Sequence, residues 1–299
     1  MASASEIKIR INSITETKKV TDAMYMISSV KMQRARRENE KTRPYFNALR
    51  EEIGELLENI PENNNRYFRI LDPEGVKGRA MLLITADRGL SGSYNQTVLK
   101  AGIDRMKEEA DILPFIVGEY GRQHFTVKKL KFADNFNYAA QFPTIREAQR
   151  ICTDLLDYYN TDRVDQIEII YTHSTSFGTG EIRRKILLPL EKSDFYGSAN
   201  PEENIGKEYL PDPDTVLNGI VPPYLTGFIY SALVDSYCSE QQARMTAMNT
   251  AGKNAEEMLK KLRIQYNGIR QAAITNEMIE ITSGTKALRK KQKKAGTGN

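Results

Sequence analysis

Every proline in this 299-residue chain lies between Pro44 and Pro223. The first 43 residues also lack glycine, so both ends of the chain read as long helices. A helix rises about 1.5 Å per residue, and the stretch from Tyr224 to Leu288 alone would reach about 100 Å. A compact fold of the whole chain would measure only about 50 Å across. Such a helix cannot be covered by its own domain. It pairs with the N-terminal helix and projects as a rod, or it sits inside a partner.

The apolar spacing supports a paired rod. In the first helix Ile7, Ile11 and Ile14, then Val20, Met24, Ile27 and Val30, step by three and four. In the last helix Ala243, Ala247, Ala251, Ala255, Met258, Leu262, Tyr266, Ile269 and Ala273 keep the same rhythm. The expectation is an antiparallel two-stranded coiled coil joining the termini, softened where Gly252 and Gly268 interrupt it. Between the ends the pattern changes to strand–helix alternation. Strands are expected at 79–86, 112–117, 164–172 and 181–188, and helices at 94–109 and 144–159. That order predicts an α/β fold with a mostly parallel, Rossmann-like sheet. The domain reading is a shaft helix over 1–60, an α/β foot over 75–190, a turn-rich connection over 191–223, a second shaft helix over 224–288, and a flexible basic tail over 289–299. Within the connection we expect a short helix from Asp214 to Val221, then a kink at Pro222-Pro223.

Charge is unevenly distributed. The net +4 resolves into about +13 over residues 1–37 and 244–299 and about −9 over the middle. Clustered basic charge on helices implies an acidic protein surface or nucleic acid as partner, or simply a solvated face. Cys152 and Cys238 belong to no ligand motif, and with two histidines, His124 and His173, no zinc site is expected. Sparse cysteine points to a reducing compartment. The uncharged apolar runs Ala80–Ala86 and Ile112–Gly118 are far shorter than a membrane span, and the N-terminus shows no signal or transit pattern. No transmembrane helix is expected.

No catalytic constellation emerges. The turn Asp87-Arg88-Gly89-Leu90-Ser91-Gly92-Ser93 is the best candidate for a phosphate site, but it lacks both G-x-G-x-x-G and G-x-x-x-x-G-K-[ST] spacing. Asp87 and Ser93 read as turn and cap residues. No metal ligands and no cofactor are expected. Met24, Met26, Met245, Met248 and Met258 line the helices, and Arg34, Arg36 and Arg37 form a basic collar on the first.

Three separated motifs carry a family resemblance. They are Glu6-Ile7-Lys8-x-Arg10-Ile11-x-Ser13-Ile14-x-x-Thr17-x-Lys19-Val20-Thr21-x-Ala23-Met24-x-Met26 at the start, Thr85-x-Asp87-Arg88-Gly89-Leu90-x-Gly92-x-x-Asn95 in the middle, and Ser239-Glu240-x-x-Ala243-Arg244-Met245-x-Ala247-Met248 with Tyr266-Asn267-x-x-Arg270-Gln271-Ala272-Ala273-Ile274-Thr275-x-Glu277-x-x-Glu280-Ile281-x-x-Gly284 at the end. Together they resemble the gamma subunit of the F-type rotary ATP synthase over essentially the whole length. The resemblance implies a coiled-coil shaft on a Rossmann-like foot, turning inside a ring of three alpha and three beta subunits and driven by a membrane ring. Catalysis then belongs to the partners. By matching positions, Met24, Arg34, Arg36, Arg37, Arg244, Gln271 and Thr275 are expected to meet the alpha/beta head. Asp87, Arg88, Tyr209, Asp212 and Asp214 are expected in foot and stalk contacts, toward the epsilon subunit and the c-ring. The implied location is peripheral, on the cytoplasmic face of a bacterial plasma membrane, or the matrix or stromal side for a mature organellar form. Asp22 stands where the family usually has Lys or another polar residue, and Ser91 replaces a common cysteine. The rival readings are a nucleic-acid-binding or scaffolding coiled coil, lacking any RNP motif or zinc finger, and a Rossmann-type small-molecule enzyme.

Overall fold

The computed structural model describes residues 4–59, 65–71, 76, 78–109, 111–174, 180–195 and 209–295, with side chains to 57 in the first segment and to 286 in the last. The elements run α1 (Ala4–Asn59), β1 (Arg79–Ile84), α2 (Tyr94–Glu108), β2 (Ile112–Val117), α3 (Glu119–Val127), α4 (Ile145–Asn160), β3 (Gln166–His173), β4 (Glu181–Leu188) and α5 (Pro213–Ala295), with 3-10 turns at Arg66–Phe68 and Lys192–Asp194. Two compact units result: Met26–Ala247, and the two terminal segments Met1–Tyr25 with Met248–Asn299.

The larger unit is built on a four-stranded sheet in the order β2-β1-β3-β4. β1 pairs in parallel with β2 and β3, and β4 adds an antiparallel edge. All four strands lie within two residues of their expected positions, because continuous Ile/Leu/Val runs bounded by polar turns leave little ambiguity. β1 is buried on both faces, and its alternation divides the core. Ala80, Leu82 and Ile84 meet α4, the end of α1 and the first part of α5. Met81 and Leu83 meet α2 and α3. Helix α4 starts with a full capping box, Thr144 and Glu147 each bonding the other's backbone N–H. Helix α3 was not foreseen. It follows Gly118, whose φ of +97° turns the chain sharply out of β2.

One expectation about the connection is corrected. There is no separate short helix ending before the proline pair: α5 starts at Pro213, where a missing N–H costs nothing, and continues through Pro222 and Pro223. The two lost backbone bonds are outweighed by packing, since Leu217, Val221, Leu225 and Ile229 are all buried in the sheet core. At the other end the helix persists to Ala295, so the tail is helical over 289–295. The uncharged run 215–234 is also longer than the runs singled out from sequence. By length and composition α5 could cross a membrane, but 56% of its most apolar window is buried inside the protein. Its apolar face is already used by the sheet.

The terminal unit is an antiparallel helix pair. Lys18 Nζ lies 3.5 Å from Glu256 Oε2, and a Cβ on Gly252 would lie 3.3 Å from Asp22 Oδ1 and 3.6 Å from Thr21 Oγ1. Ile7, Thr21, Met248, Gly252 and Leu259 are its buried positions. The seam differs from the expected one. Val20, Ile27, Val30 and Met258 are all more than half exposed, and Thr21, Ser28 and Leu259 are buried instead. On the first helix the buried row runs through Thr21 and Ser28, one residue out of phase with the expected Val20 and Ile27. Ala273, too, is exposed.

Candidate functional site

In a sheet with this order, the strand connections diverge between β1 and β3, and ligands of open α/β folds bind at the C-terminal ends of such strands. Here that crevice is filled by α5. The Thr172 backbone N–H donates to Ser236 Oγ (3.2 Å), and Ser239 Oγ donates to the Thr172 carbonyl (3.4 Å). Nearby, His173 Nδ1 and Asp235 Oδ2 are 2.6 Å apart. Tyr94, Ser236, Ser239, Glu240 and Gln241 are all buried. Burial pushes the Tyr94 phenol well above its usual range, aided by the Glu240 charge. Burial likewise raises the Glu240 carboxyl, against the opposing pull of Arg244.

The glycine-bearing turn after β1 is held as part of this packing. Asp87 accepts backbone N–H bonds from Glu119 (3.1 Å), Ala140 (3.0 Å) and Gln141 (2.9 Å). Its carboxylate is therefore a brace across three segments. Arg244 is 9% exposed; its Nη2 donates to the Gly89 carbonyl (2.9 Å) and to Glu240 Oε1 (2.5 Å). Its charge is paired inside the unit. Asn95 and Glu240 lay within the quoted motifs, yet their bracing roles become visible only in three dimensions.

The remaining expected site residues are dispersed. Arg34 and Arg37 are exposed, while Arg36 donates to Ser174 Oγ (2.8 Å). Met24 is half-buried; Gln271 and Thr275 are exposed on α5, with Thr275 Oγ1 bonded to the Gln271 carbonyl (2.9 Å). Arg88 is exposed. Tyr209 packs against the core. Asp212 caps α5, accepting from the Thr215 N–H (2.9 Å) and hydroxyl (2.7 Å), and these bonds hold its carboxyl below the usual range. Asp214 accepts from Asn65 Nδ2 (2.7 Å).

A cavity of about 630 Å³ lies near the opposite ends of β1 and β3, lined by Arg69, Arg79, Arg105 and Arg184 among others. Its guanidiniums are committed to carboxylates. Glu168 bonds Arg105 and Arg184, Glu109 bonds Arg105 and Arg79, and Asp165 pairs with Arg69. Among the described residues no three of His, Cys, Asp and Glu gather as metal ligands.

The fold thus belongs to the class of α/β units in which the chain's own long helix, and not an open crevice, occupies the switch point of the sheet. The comparisons make the class specific. The ATP synthase family matches residues 3–288, and the chain belongs to the ATP synthase gamma-chain family. It is 38% identical to the ATP synthase gamma chain of Acetivibrio thermocellus, with 97% of this chain and 100% of the relative covered. It is 32% identical to a gamma chain described as sodium ion specific from Acetobacterium woodii, over 95% of this chain and 98% of the relative. Among solved structures, a chain of the Euglena gracilis mitochondrial ATP synthase aligns with a TM-score of 0.64 at 16% identity, over 97% of both chains. One from the Tetrahymena thermophila central stalk and c-ring aligns at 0.55 and 20%, over 78% of this chain and 99% of that one. These two support the fold. The family is that of a non-catalytic subunit, which sets the nucleic-acid and small-molecule enzyme readings aside.

Proposed function

We propose that this chain is the central rotor shaft of an F-type ATP synthase, coupling ion-driven rotation of a membrane ring to conformational cycling of an alpha/beta catalytic head. The observation that carries this reading is the helix beyond Arg270. Residues 271–286 are exposed on every side, including Ile274, Met278, Ile279 and Ile281 at 50% or more. A helix exposed on every side that shows an apolar stripe (Ile274, Met278 and Ile281) and a further isoleucine off it, with no facing helix among the described residues, calls for an enclosing partner. A ring of subunits enclosing it supplies one.

In this role the shaft does no chemistry. It makes different contacts with each catalytic subunit at each angle and so favours a different state in each. Met24, Arg34, Arg36, Arg37, Gln271 and Thr275 are the contacts we assign to the head. For Arg244 we assign an internal hold on the turn that faces it. Arg88, Tyr209, Asp212 and Asp214 are assigned to the stalk, with the epsilon subunit and c-ring as partners. The chain is peripheral, as part of the membrane-associated F1 sector, and we place it on the cytoplasmic face of a bacterial membrane. Affinity capture of the tagged chain from its native membranes in mild detergent tests this. Co-elution of alpha and beta subunits with ATPase activity is the expected result; elution alone, or with nucleic acid, would refute it.

A further inference from the structure

The three helices on one face of the sheet do not close on one another where α5 passes its proline pair. Phe46 of α1 is pressed onto the α5 backbone at Gly227, where any Cβ would overlap its ring. Beside that contact a cavity of about 550 Å³ opens between α1, α4 and α5. Small-molecule sites span about 300–1,000 Å³, so the volume is that of a ligand pocket. Cys152, Leu156 and Thr226 form its buried side, while Tyr45 and Ile145, 59% and 43% exposed, stand at its mouth. The Tyr45 and Phe46 rings meet edge to face, their centroids 5.2 Å apart.

The polar groups of the walls are already engaged. Thr226 Oγ1 donates to the Pro222 carbonyl (2.9 Å), and Cys152 Sγ lies 3.7 Å from the same oxygen. Thr42 Oγ1 donates to the Asn39 carbonyl (2.9 Å) and Thr153 Oγ1 to that of Gln149 (2.9 Å). Pro222 and Pro223 bring ring carbons and no N–H. Lys41 is the only charged residue lining the space among the described residues, and Glu38 holds its Nζ at 2.8 Å. A charged occupant would lose its water and find no free counter-charge, whereas an uncharged apolar one loses nothing by entering. We propose that this recess is a binding site for a small, uncharged aromatic molecule, seated between Phe46, Leu156 and the proline pair and bracing α1, α4 and α5 together. Phe46 is fixed on Gly227 and the proline rings are rigid, so the walls are formed before the ligand arrives and binding orders little. The site lies wholly within the sheet unit and does not depend on the rotor reading.

The test titrates the purified full-length chain with N-phenyl-1-naphthylamine, an uncharged probe that fluoresces in apolar surroundings, and with 8-anilino-1-naphthalenesulfonate, the same ring skeleton bearing a sulfonate. The neutral probe should bind saturably, one per chain, and about tenfold or more tighter than the anion. Gln149→Trp and Thr153→Trp, at exposed positions of α4 on the rim, put a ring into the recess. Each should weaken the neutral probe about tenfold or more while unfolding at the parent's temperature, and Gln149→Ala should bind it within about twofold of the parent. In the unmodified chain, bound probe should slow alkylation of Cys152 at about pH 10 and leave the rate at Cys238 unchanged, since the Cys238 thiol lies outside the recess, 3.9 Å from the Met32 carbonyl. That readout stands even if a Trp variant unfolds early. Absence of saturable binding, equal affinity for the anion, or binding unchanged in both Trp variants would overturn the proposal. So would equal slowing at both cysteines, which would mean that the probe acts on the chain as a whole.

Discussion

Glu168 sits near the middle of β3, 1% exposed, and is kept there by two guanidiniums: Arg105 Nε at 2.9 and 3.1 Å and Arg184 Nε at 2.9 Å. Arg105 is itself only 4% exposed, so this is a buried charge network and not a surface pair. Removing one partner strands the others. Arg105→Ala should destabilise the chain by about 3 kcal/mol in urea unfolding, whereas Glu181→Ala, breaking the exposed 3.7 Å contact with Arg183, should change stability by less than about 0.5 kcal/mol. The two cysteines make a second residue-scale test. Burial pushes the Cys152 and Cys238 thiols up to about 11. The thiolate is the reactive form and falls tenfold per pH unit below the pKa, so at pH 8 about one molecule in a thousand carries it at either site. Both thiols should resist alkylation in the native chain at pH 8, react faster as pH rises toward 11, and react at once in denaturant. Mass spectrometry of the labelled chain reads this directly.

At the scale of elements, glycine separates what a helix prefers from what its surroundings require. Gly268 lies in the interior of α5 with open space where a Cβ would be. Gly268→Ala should stabilise the chain by up to about 1 kcal/mol, the propensity difference between the two residues, measured as a rise in the unfolding midpoint. Gly118 is the opposite case. Its φ of +97° disfavours any side chain, and a Cβ there would lie 2.6 Å from the Thr85 carbonyl and 2.8 Å from that of Ala86. Gly118→Ala should therefore cost about 2 kcal/mol or more in the same assay, through strain and overlap together. α5 itself shows packing overriding local preference. Pro222 and Pro223 would ordinarily end a helix, yet the flanking buried residues Leu217, Val221 and Leu225 hold it to the sheet on both sides of the pair.

For the whole molecule, stability should be graded along α5. Residues 217–241 are packed into the sheet unit, 248–269 pack on the N-terminal helix, and 271–286 are exposed with no facing element among the described residues. In the isolated chain, amide hydrogen exchange should be slowest in the first stretch, intermediate in the second and fastest in the third, since a short helix without packing is marginal in water. Assembly with the alpha and beta subunits should protect the third stretch most. Exchange unchanged there on assembly would remove the enclosed-helix argument for the rotor.

Much of this was legible in the linear chain. The proline-free ends with their three-four apolar rhythm pointed to two long helices, because residues spaced three and four apart share a face only on a helix. The continuous apolar runs dictated buried strands, and the motif at Asp87–Asn95 marked the first strand and its turn. What the sequence could not determine was which residues face one another. Thr21 and Leu259 are buried where Val20 and Met258 were expected, because the face a helix covers is set by where its partner helix lies and not by hydrophobicity along the helix alone. Arg244 reads in the linear chain only as a motif position: Glu240 lies one turn earlier on the same helix, but the Gly89 carbonyl meets its guanidinium only when α5 enters the sheet's crevice. Periodicity and composition are local properties and fix elements; burial, charge pairing and a filled crevice arise from contacts between residues far apart in sequence, and only the tertiary structure decides them.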